Sequence, residues 1–330
     1  TVFVTLRPDS FYHSRQAGAL TAYQPRVFTI PPPRVDRVVE KRIDFGRRQI
    51  AEHGRLPSFP EGVTLQAETL DAYLDILGYS FGHSEQLAAL LDNLSGGNVR
   101  QALEYLTMFV GSPHTGAARA LEVQANTGFF QVPPHQFLRA VLLGDNRYYS
   151  PKSSRIPNAF DISAPDGREH FLLSIILAML ARVAVPGGDD EGYVTNDRVF
   201  GFCQDLGFTP SQVSFQLGRG VATRLIDAMP SDSVPHQYRI TSVGAYLQQH
   251  LIQDFPYVDE VIVDTPIVDD AARAEIADVS ATARRLERCR TFCAYLDQEW
   301  QPLADRDTGL EWPSVSAHLV REIDRIADDP

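Results

Sequence analysis

Two arginines of this sequence, Arg7 and Arg100, stand where their side chains could hold an anion. Arg7 follows an apolar run at residues 2–6, and Arg100 follows a turn with two consecutive glycines. A guanidinium group is planar and permanently charged, so it can bond two phosphate oxygens at once. The alternative is that both arginines are ordinary surface charges, and the elements around them bear on that choice.

The parts that hydrolyse a nucleotide are missing from the sequence. No Gly-x-x-x-x-Gly-Lys-Ser/Thr loop occurs in it. An apolar run that ends in an aspartate, residues 261–264, is followed by Thr265 and Pro266, which favours a strand or extended segment over a magnesium site. We therefore assign no catalytic residue and no metal ligand, and we expect no ATP hydrolysis by this chain alone.

Two segments resemble parts of known ATPases. Residues 2–8 (Val-Phe-Val-Thr-Leu-Arg-Pro) resemble the sensor 1 strand of STAND ATPases, and residues 95–103 (Ser-Gly-Gly-Asn-Val-Arg-Gln-Ala-Leu) resemble the sensor 2 motif of AAA+ proteins of the origin-recognition type. The resemblance implies that ATP or ADP with Mg²⁺ binds in the complete protein. It places four residues near that nucleotide: Thr5, Arg7, Asn98 and Arg100.

The resemblance also has a departure and an implied partner. Many STAND proteins carry a proline after the lid glycine, whereas here Gly97 is followed by Asn98. This favours the AAA+ interpretation and leaves the base contact unassigned. A lone first strand would expose its edges, so we expect an N-terminal ATPase half or other subunits to lie beside it.

Helical patterns surround the second arginine. A second short strand is predicted at residues 27–30, which with residues 2–6 would end the ATPase core at residues 1–33. Apolar spacing then predicts helices at residues 35–53, 65–77, 84–94 and 99–110, with Ser84 as an N-cap. These four helices form the predicted lid, residues 34–115.

Residues 116–165 are predicted to link two domains. Helices are expected at residues 117–124 and 134–143. Residues 144–167 then hold three prolines and four serines without periodicity, which is typical of a surface connection. We expect a domain boundary there.

Residues 166–265 have the pattern of a winged helix-turn-helix domain. The predicted order is a helix at 168–183, a strand at 193–194, a helix at 196–206, a helix from Thr209 to Met229, a strand at 237–240 and a helix at 241–252. Polar residues in the first turns of a recognition helix can read base edges. The candidates for nucleic-acid contact are Ser211, Gln212, Ser214, Gln216 and Arg219.

The supply of positive charge near that helix is poor. It carries only Arg219 and Arg224, and the predicted wing tip at residues 230–236 holds an acid and no Lys or Arg. Any DNA contact is therefore expected to be weak, and docking on protein is the competing role.

Residues 266–330 are predicted to form C-terminal helices, one at 272–300 and one at 315–326, that pack on the body or on a partner. Cys289 and Cys293 lie four apart on the first, without metal-ligand neighbours, which favours core packing.

The composition narrows the function classes. With 30 Lys and Arg against 42 Asp and Glu, the net charge of −12 disfavours general coating of nucleic acid. No apolar stretch is long enough for a membrane helix, so no membrane partner is predicted. The odd count of three cysteines and the absence of a leader fit the cytoplasm.

Taken together, the patterns predict a mainly α protein with a residual AAA+ sheet segment, a helical lid, a winged helix and C-terminal helices. The predicted function is that of the regulatory C-terminal part of a nucleotide-switch ATPase that couples its ATP state to a partner or to DNA. Two alternatives remain open: a winged-helix DNA-binding regulator without ATPase activity, and a structural adaptor.

Overall fold

The computed structural model describes residues 4, 26–28, 33–53, 67–183, 192–229, 236–277 and 284–328. These residues are mainly helical, with 14 α-helices and one antiparallel sheet of three strands. In chain order the helices are α1 Val35–His53, α2 Ala67–His83, α3 Glu85–Ser95, α4 Val99–Gly111, α5 Ala117–Thr127, α6 Pro134–Leu143, α7 Leu172–Val183, α8 Asn196–Asp205, α9 Pro210–Ala222, α10 Ser242–Gln249, α11 Phe255–Val261, α12 Asp270–Ile276, α13 Arg285–Trp300 and α14 Trp312–Asp328. The strands are β1 Val194–Thr195, β2 Ile226–Met229 and β3 Gln237–Ile240.

The first four helices confirm the sequence patterns, and local capping explains why. The Ser84 hydroxyl accepts a hydrogen bond from the Leu87 amide at the start of α3, which satisfies an amide that the helix itself leaves free. Gly96 ends α3 in the left-handed conformation, with φ of 58°. Helix α2 runs further than predicted, to His83.

The predicted sheet segment at the start of the chain falls mostly outside the described residues. That includes Thr5 and Arg7, so the sensor 1 assignment stays a prediction. Val4, Val27 and Phe28 are described, and all three are exposed and lie outside any strand.

The expected surface connection before residue 167 is wrong for its second half. We call residues 156–170 the strap, and its first five residues are buried. The Tyr257 hydroxyl donates to the Pro157 carbonyl (2.7 Å) and accepts from the Ala159 amide (2.8 Å). Side chains from elsewhere thus satisfy the irregular backbone, which allows it to enter the core without regular structure.

The predicted helix from Thr209 to Met229 is also wrong beyond Ala222. Arg224 adopts a φ of 61°, which breaks the helix, and Ile226 begins strand β2. Ile226 packs closely on α9, since a Cβ at Gly220 would lie 2.6 Å from its Cδ1 atom. The strands lie in the order β1-β3-β2, and Ile226 pairs with Ile240.

The single long helix expected at residues 272–300 is two helices, α12 and α13, that pack against each other. One straight helix could not make that contact. Helix α13 is held on α11 through the buried Asp259 carboxylate, which accepts from Arg288 (2.7 Å) and from Arg285. The last helix, α14, confirms the final amphipathic pattern.

Residues 261–264 are helical rather than extended. They continue the end of α11 into a short 3-10 turn, Ile262–Asp264. The apolar side chains of this run are needed in the core, where Val261 and Ile262 are buried. Periodicity alone cannot separate a short buried strand from a short buried helix.

One apolar core extends from Val35 in α1 to Ile323 in α14. Helix α6 packs on α11, and α3 packs on α10, so the predicted lid and the residues after 166 are in direct contact. In the part of the chain that the structure describes, no helix is both long and apolar enough to cross a membrane.

Candidate anion-binding groove

The turn between α3 and α4 presents Arg100 on the first turn of a well-formed helix. Gly96 and Gly97 both have positive φ, 58° and 72°, a backbone conformation that glycine adopts without the strain of a Cβ atom. Asn98 is the N-cap of α4, and its side chain accepts from the Gln101 amide at 3.3 Å. Asn98 therefore has a local structural task, and the Arg100 side chain is exposed.

Arg100 lines a groove of about 560 Å³ on the outer face of α4. Its lining residues are Val99, Arg100, Leu103, Glu104, Thr107, Met108 and Arg155. Among the described residues, Arg100 takes part in no ion pair. Its charge is thus available to an anion in the groove.

Arg155 is a second cation in this groove, and it comes from the irregular segment before the strap. Its Nη2 atom lies 3.2 Å from Oε2 of Glu104 on α4. Both side chains are about half exposed, at 51% and 41%. An ion pair with that exposure stabilises the fold by no more than about 1 kcal/mol.

Hydrogen bonds with Arg224 and Tyr105 hold Gln101 in the first turn of α4. Arg224, in the turn after α9, donates to Oε1 of Gln101 at 3.0 Å. Gln101 in turn donates to the Tyr105 hydroxyl at 2.8 Å. Burial raises the pKa of Tyr105, so its hydroxyl stays neutral and acts as a fixed partner.

The proposed base-reading residues of α9 divide into two groups. Ser211 and Ser214 are exposed, whereas Gln212 and Gln216 are buried. Gln212 completes a capping box with Thr209 at the helix start. Base reading by the two glutamines would require them to leave the interior of the protein.

Both glutamines bind Glu169, a fully buried carboxylate of the strap. Gln212 Nε2 lies 3.1 Å from Oε2 of Glu169, and Gln216 Nε2 lies 3.3 Å from Oε1. Glu169 also accepts from the Ser163 amide and hydroxyl and from the Ala164 amide. The strap and α9 are therefore joined by one polar network.

Arg219 extends this network along α9. It donates to the Asn158 carbonyl (2.6 Å) and to Oε1 of Gln216 (2.8 Å), and lies 3.4 Å from the Asp161 carboxylate. Burial raises the pKa of Asp161, and the charge of Arg219 opposes that rise. Arg219 is thus already occupied within the fold.

Sequence reasoning missed Arg155, Glu104 and the acidic residues of the strap. Arg155 lies in a segment without periodicity, so no local signal connects it to Arg100. Glu169 carries no signal either, because a carboxylate in a predicted helix is normally exposed.

The described residues contain no cluster of His, Cys, Asp or Glu that could hold a metal ion. The prediction for the cysteines is confirmed, since Cys203, Cys289 and Cys293 are free and buried. Burial raises the pKa of Cys293 to about 12, which keeps it a neutral thiol.

Comparisons with protein-family models, with curated proteins and with solved structures find no match to this chain. The functional evidence is therefore the chemistry of its own side chains. The groove offers two arginines beside an apolar surface, and α9 offers an exposed face without charge.

Proposed function

We propose that this chain is the regulatory C-terminal part of a nucleotide-switch ATPase of the AAA+/STAND type, acting in the cytoplasm. The observation that carries the proposal is the presentation of Arg100. A capped helix start directs it into a groove of about 560 Å³, and no carboxylate pairs with it among the described residues. That is the arrangement by which a lid arginine would sense bound phosphates.

In this proposal residues 34–115 are the lid, and the phosphate-binding loop and Mg²⁺ site come from an N-terminal half or from another subunit. Residues 166–265 form a winged helix. The order of α7, β1, α8, α9, β2, β3 and α10, with the sheet order β1-β3-β2, supports that assignment. The β2–β3 hairpin is the wing, whose tip at residues 230–235 lies outside the described residues.

The contact between the two units supports coupling of nucleotide state to the winged helix. The turn that leads to Arg100 packs on the start of α10, where a Cβ at Gly96 would lie 2.8 Å from Cγ2 of Val243. A movement of the lid about its bound nucleotide would therefore displace α10 directly.

The winged helix serves to dock on a partner rather than to read DNA. Gln212, Gln216 and Arg219 are held by the strap. The outer face of α9 carries the small and uncharged residues Ser211, Ser214 and Gly218. Such a face neutralises no phosphate, so the partner is another subunit or the ATPase half.

The test compares nucleotide binding and turnover by the complete ATPase before and after Arg100→Ala. Loss of a charge-assisted bond to phosphate removes about 1.5 to 3 kcal/mol, which weakens binding or turnover about tenfold or more. Arg119→Ala is the matched control, because Arg119 is exposed on α5 and lies outside the groove. Equal values for wild type and Arg100→Ala would refute the proposal.

A further inference from the structure

The two arginines that line the groove beside α4 differ in their ion pairing. Arg100 is exposed and pairs with no acid among the described residues, whereas Arg155 is paired with Glu104 at 3.2 Å. Within the part of the chain that the structure describes, Glu104 is the one carboxylate that lines the groove. An incoming anion would thus find one arginine free and the other already neutralised.

The two arginines come from separate parts of the chain. Arg100 is fixed by the first turn of α4, and Arg155 stands just before the buried part of the strap. Both positions are anchored by their neighbours, since Ile156 is buried and Asn98 caps the helix. A ligand with two negative groups could therefore be held between them.

Part of the groove's lining is apolar. Val99, Leu103 and Met108 line it together with the two arginines, Glu104 and Thr107. An apolar lining beside two cations suits a ligand that has both a flat, weakly polar part and a chain of charged groups. A nucleotide has that chemistry.

Building on the proposed function, we infer that Arg155 is a second phosphate contact and that Glu104 is its internal competitor. A polyphosphate chain enters between Arg100 and Arg155 and displaces the Glu104 carboxylate, which turns to water. The exposed Glu104–Arg155 pair is weak, so its loss costs little, whereas a bidentate phosphate bond to arginine is about twice as strong as a neutral hydrogen bond. Glu104 thereby sets the affinity of the groove for phosphate.

The experiment is a calorimetric titration of the 330-residue chain with inorganic triphosphate and with ATP. Arg155→Gln and Arg100→Gln should each weaken triphosphate binding about tenfold. Glu104→Gln should strengthen it several-fold, since Arg155 is then free. Arg119→Gln, which removes an exposed charge outside the groove, should leave binding unchanged.

The double variant Glu104→Gln/Arg155→Gln separates a specific competitor from a general charge effect. If Glu104 acts through Arg155, its substitution has no effect once Arg155 is gone. An equal gain with and without Arg155 would overturn the competitor role. No measurable binding by wild type and by Glu104→Gln would overturn the whole inference, and so would unchanged binding by Arg155→Gln.

The remaining outcomes distinguish this inference from the proposed function. Tighter binding of ATP than of triphosphate supports contact of the base with the apolar residues of the groove, and equal or weaker binding overturns that placement. Suppose that Arg100→Gln and Arg155→Gln both weaken triphosphate binding by the 330-residue chain, while Arg100→Ala leaves nucleotide binding and turnover by the complete ATPase unchanged. The proposed function then fails and the groove inference stands. If substitution of Arg100 lowers binding in both assays and substitution of Arg155 does not, the groove inference fails and the proposed function stands.

Discussion

Glu169 is a fully buried carboxylate, and within the described part of the chain its hydrogen bonds all come from neutral groups. Its two oxygens accept from the Ser163 amide and hydroxyl, the Ala164 amide, Gln212 and Gln216. An ionised carboxylate is the side chain that can accept from so many donors at once, because it has two oxygens and no donor of its own. The cost of burying the charge is offset by these bonds.

Replacing Glu169 with glutamine should therefore destabilise the protein even though it removes a buried charge. The NH₂ group of the new glutamine would replace one carboxylate oxygen. At least two of the groups that now donate to Glu169 would then face another donor instead of an acceptor. Each buried donor left without an acceptor costs about 1 to 3 kcal/mol, so the free energy of unfolding should fall by about 2 kcal/mol or more. Urea denaturation of Glu169→Gln measures the loss.

The control for that change is Glu287→Gln, which alters an exposed carboxylate on α13. Its free energy of unfolding should stay within about 0.5 kcal/mol of wild type. Equal stability of Glu169→Gln and wild type would show that the charge of Glu169 is not needed.

His170 is a buried group whose titration links folding to pH. Its Nδ1–H donates to the Phe160 carbonyl, so Nε2 accepts from the Tyr295 hydroxyl at 2.9 Å. Burial lowers the pKa of His170 to about 4. In the unfolded chain the pKa is near 6.5, so between these values the unfolded state binds a proton that the folded state does not.

Stability should thus fall as the pH drops from about 6.5 toward 4. Between pH 7 and pH 5, wild type should lose about 2 kcal/mol more than His170→Gln, whose side chain does not titrate. Urea unfolding at the two pH values gives both losses. The exposed His318→Gln should follow wild type, and parallel losses in all three proteins would rule out a buried neutral His170.

At this scale the sequence predicted Arg100 but not its partners in the groove. Arg100 follows a glycine turn and a capping residue, which are local signals. Glu104 and Arg155 meet only because the segment before the strap returns to α4. No local pattern contains that contact.

The turn between α3 and α4 leaves little space for a side chain at Gly96. Gly96 combines a positive φ of 58° with a close approach to α10, where a new Cβ would meet Val243 Cγ2 at 2.8 Å and Ser242 Oγ at 3.2 Å. A left-handed conformation costs an ordinary residue about 1 to 2 kcal/mol, and the close contact adds to this.

Gly96→Ala should therefore lower the free energy of unfolding by more than Gly128→Ala. Gly128 also has a positive φ, 75°, but a Cβ there would meet no atom within 4 Å. The excess for Gly96→Ala, about 1 kcal/mol or more, isolates the contact with α10. Chemical denaturation provides both values, and equal losses would mean that α10 does not press on this turn.

The elements that the sequence predicted well are those with local start and stop signals. Ser84, Asn98, Thr209 and Thr241 each cap a helix through a side-chain bond, and of these Ser84 was predicted from the sequence as a cap. Strand β2 was missed because its apolar residues continue the pattern of α9. Its identity depends on pairing with β3, which lies later in the chain.

For the whole molecule, the question of DNA depends on charge. The chain has a net charge of −12, and Arg219 is bonded inside the fold. With about two to four phosphate contacts, log affinity against log salt should have a slope of roughly −2 to −4. We expect marginal binding near physiological salt.

Fluorescence titration of the chain with duplex DNA at several salt concentrations checks this expectation. Two duplexes of unrelated sequence should give the same weak affinity, since the glutamines of α9 do not reach the surface. Tight and sequence-selective binding would instead promote the DNA-binding regulator over the docking role.

The contacts of the strap also determine when it can fold during synthesis on the ribosome. The Tyr257 hydroxyl that bonds the Pro157 carbonyl is 100 positions further along the chain. At about 5 to 20 residues per second, translation leaves roughly 5 to 20 seconds between the two. Throughout that interval the Pro157 carbonyl lacks the Tyr257 hydroxyl as its partner, so this contact of the strap can form only after residue 257 has been synthesised.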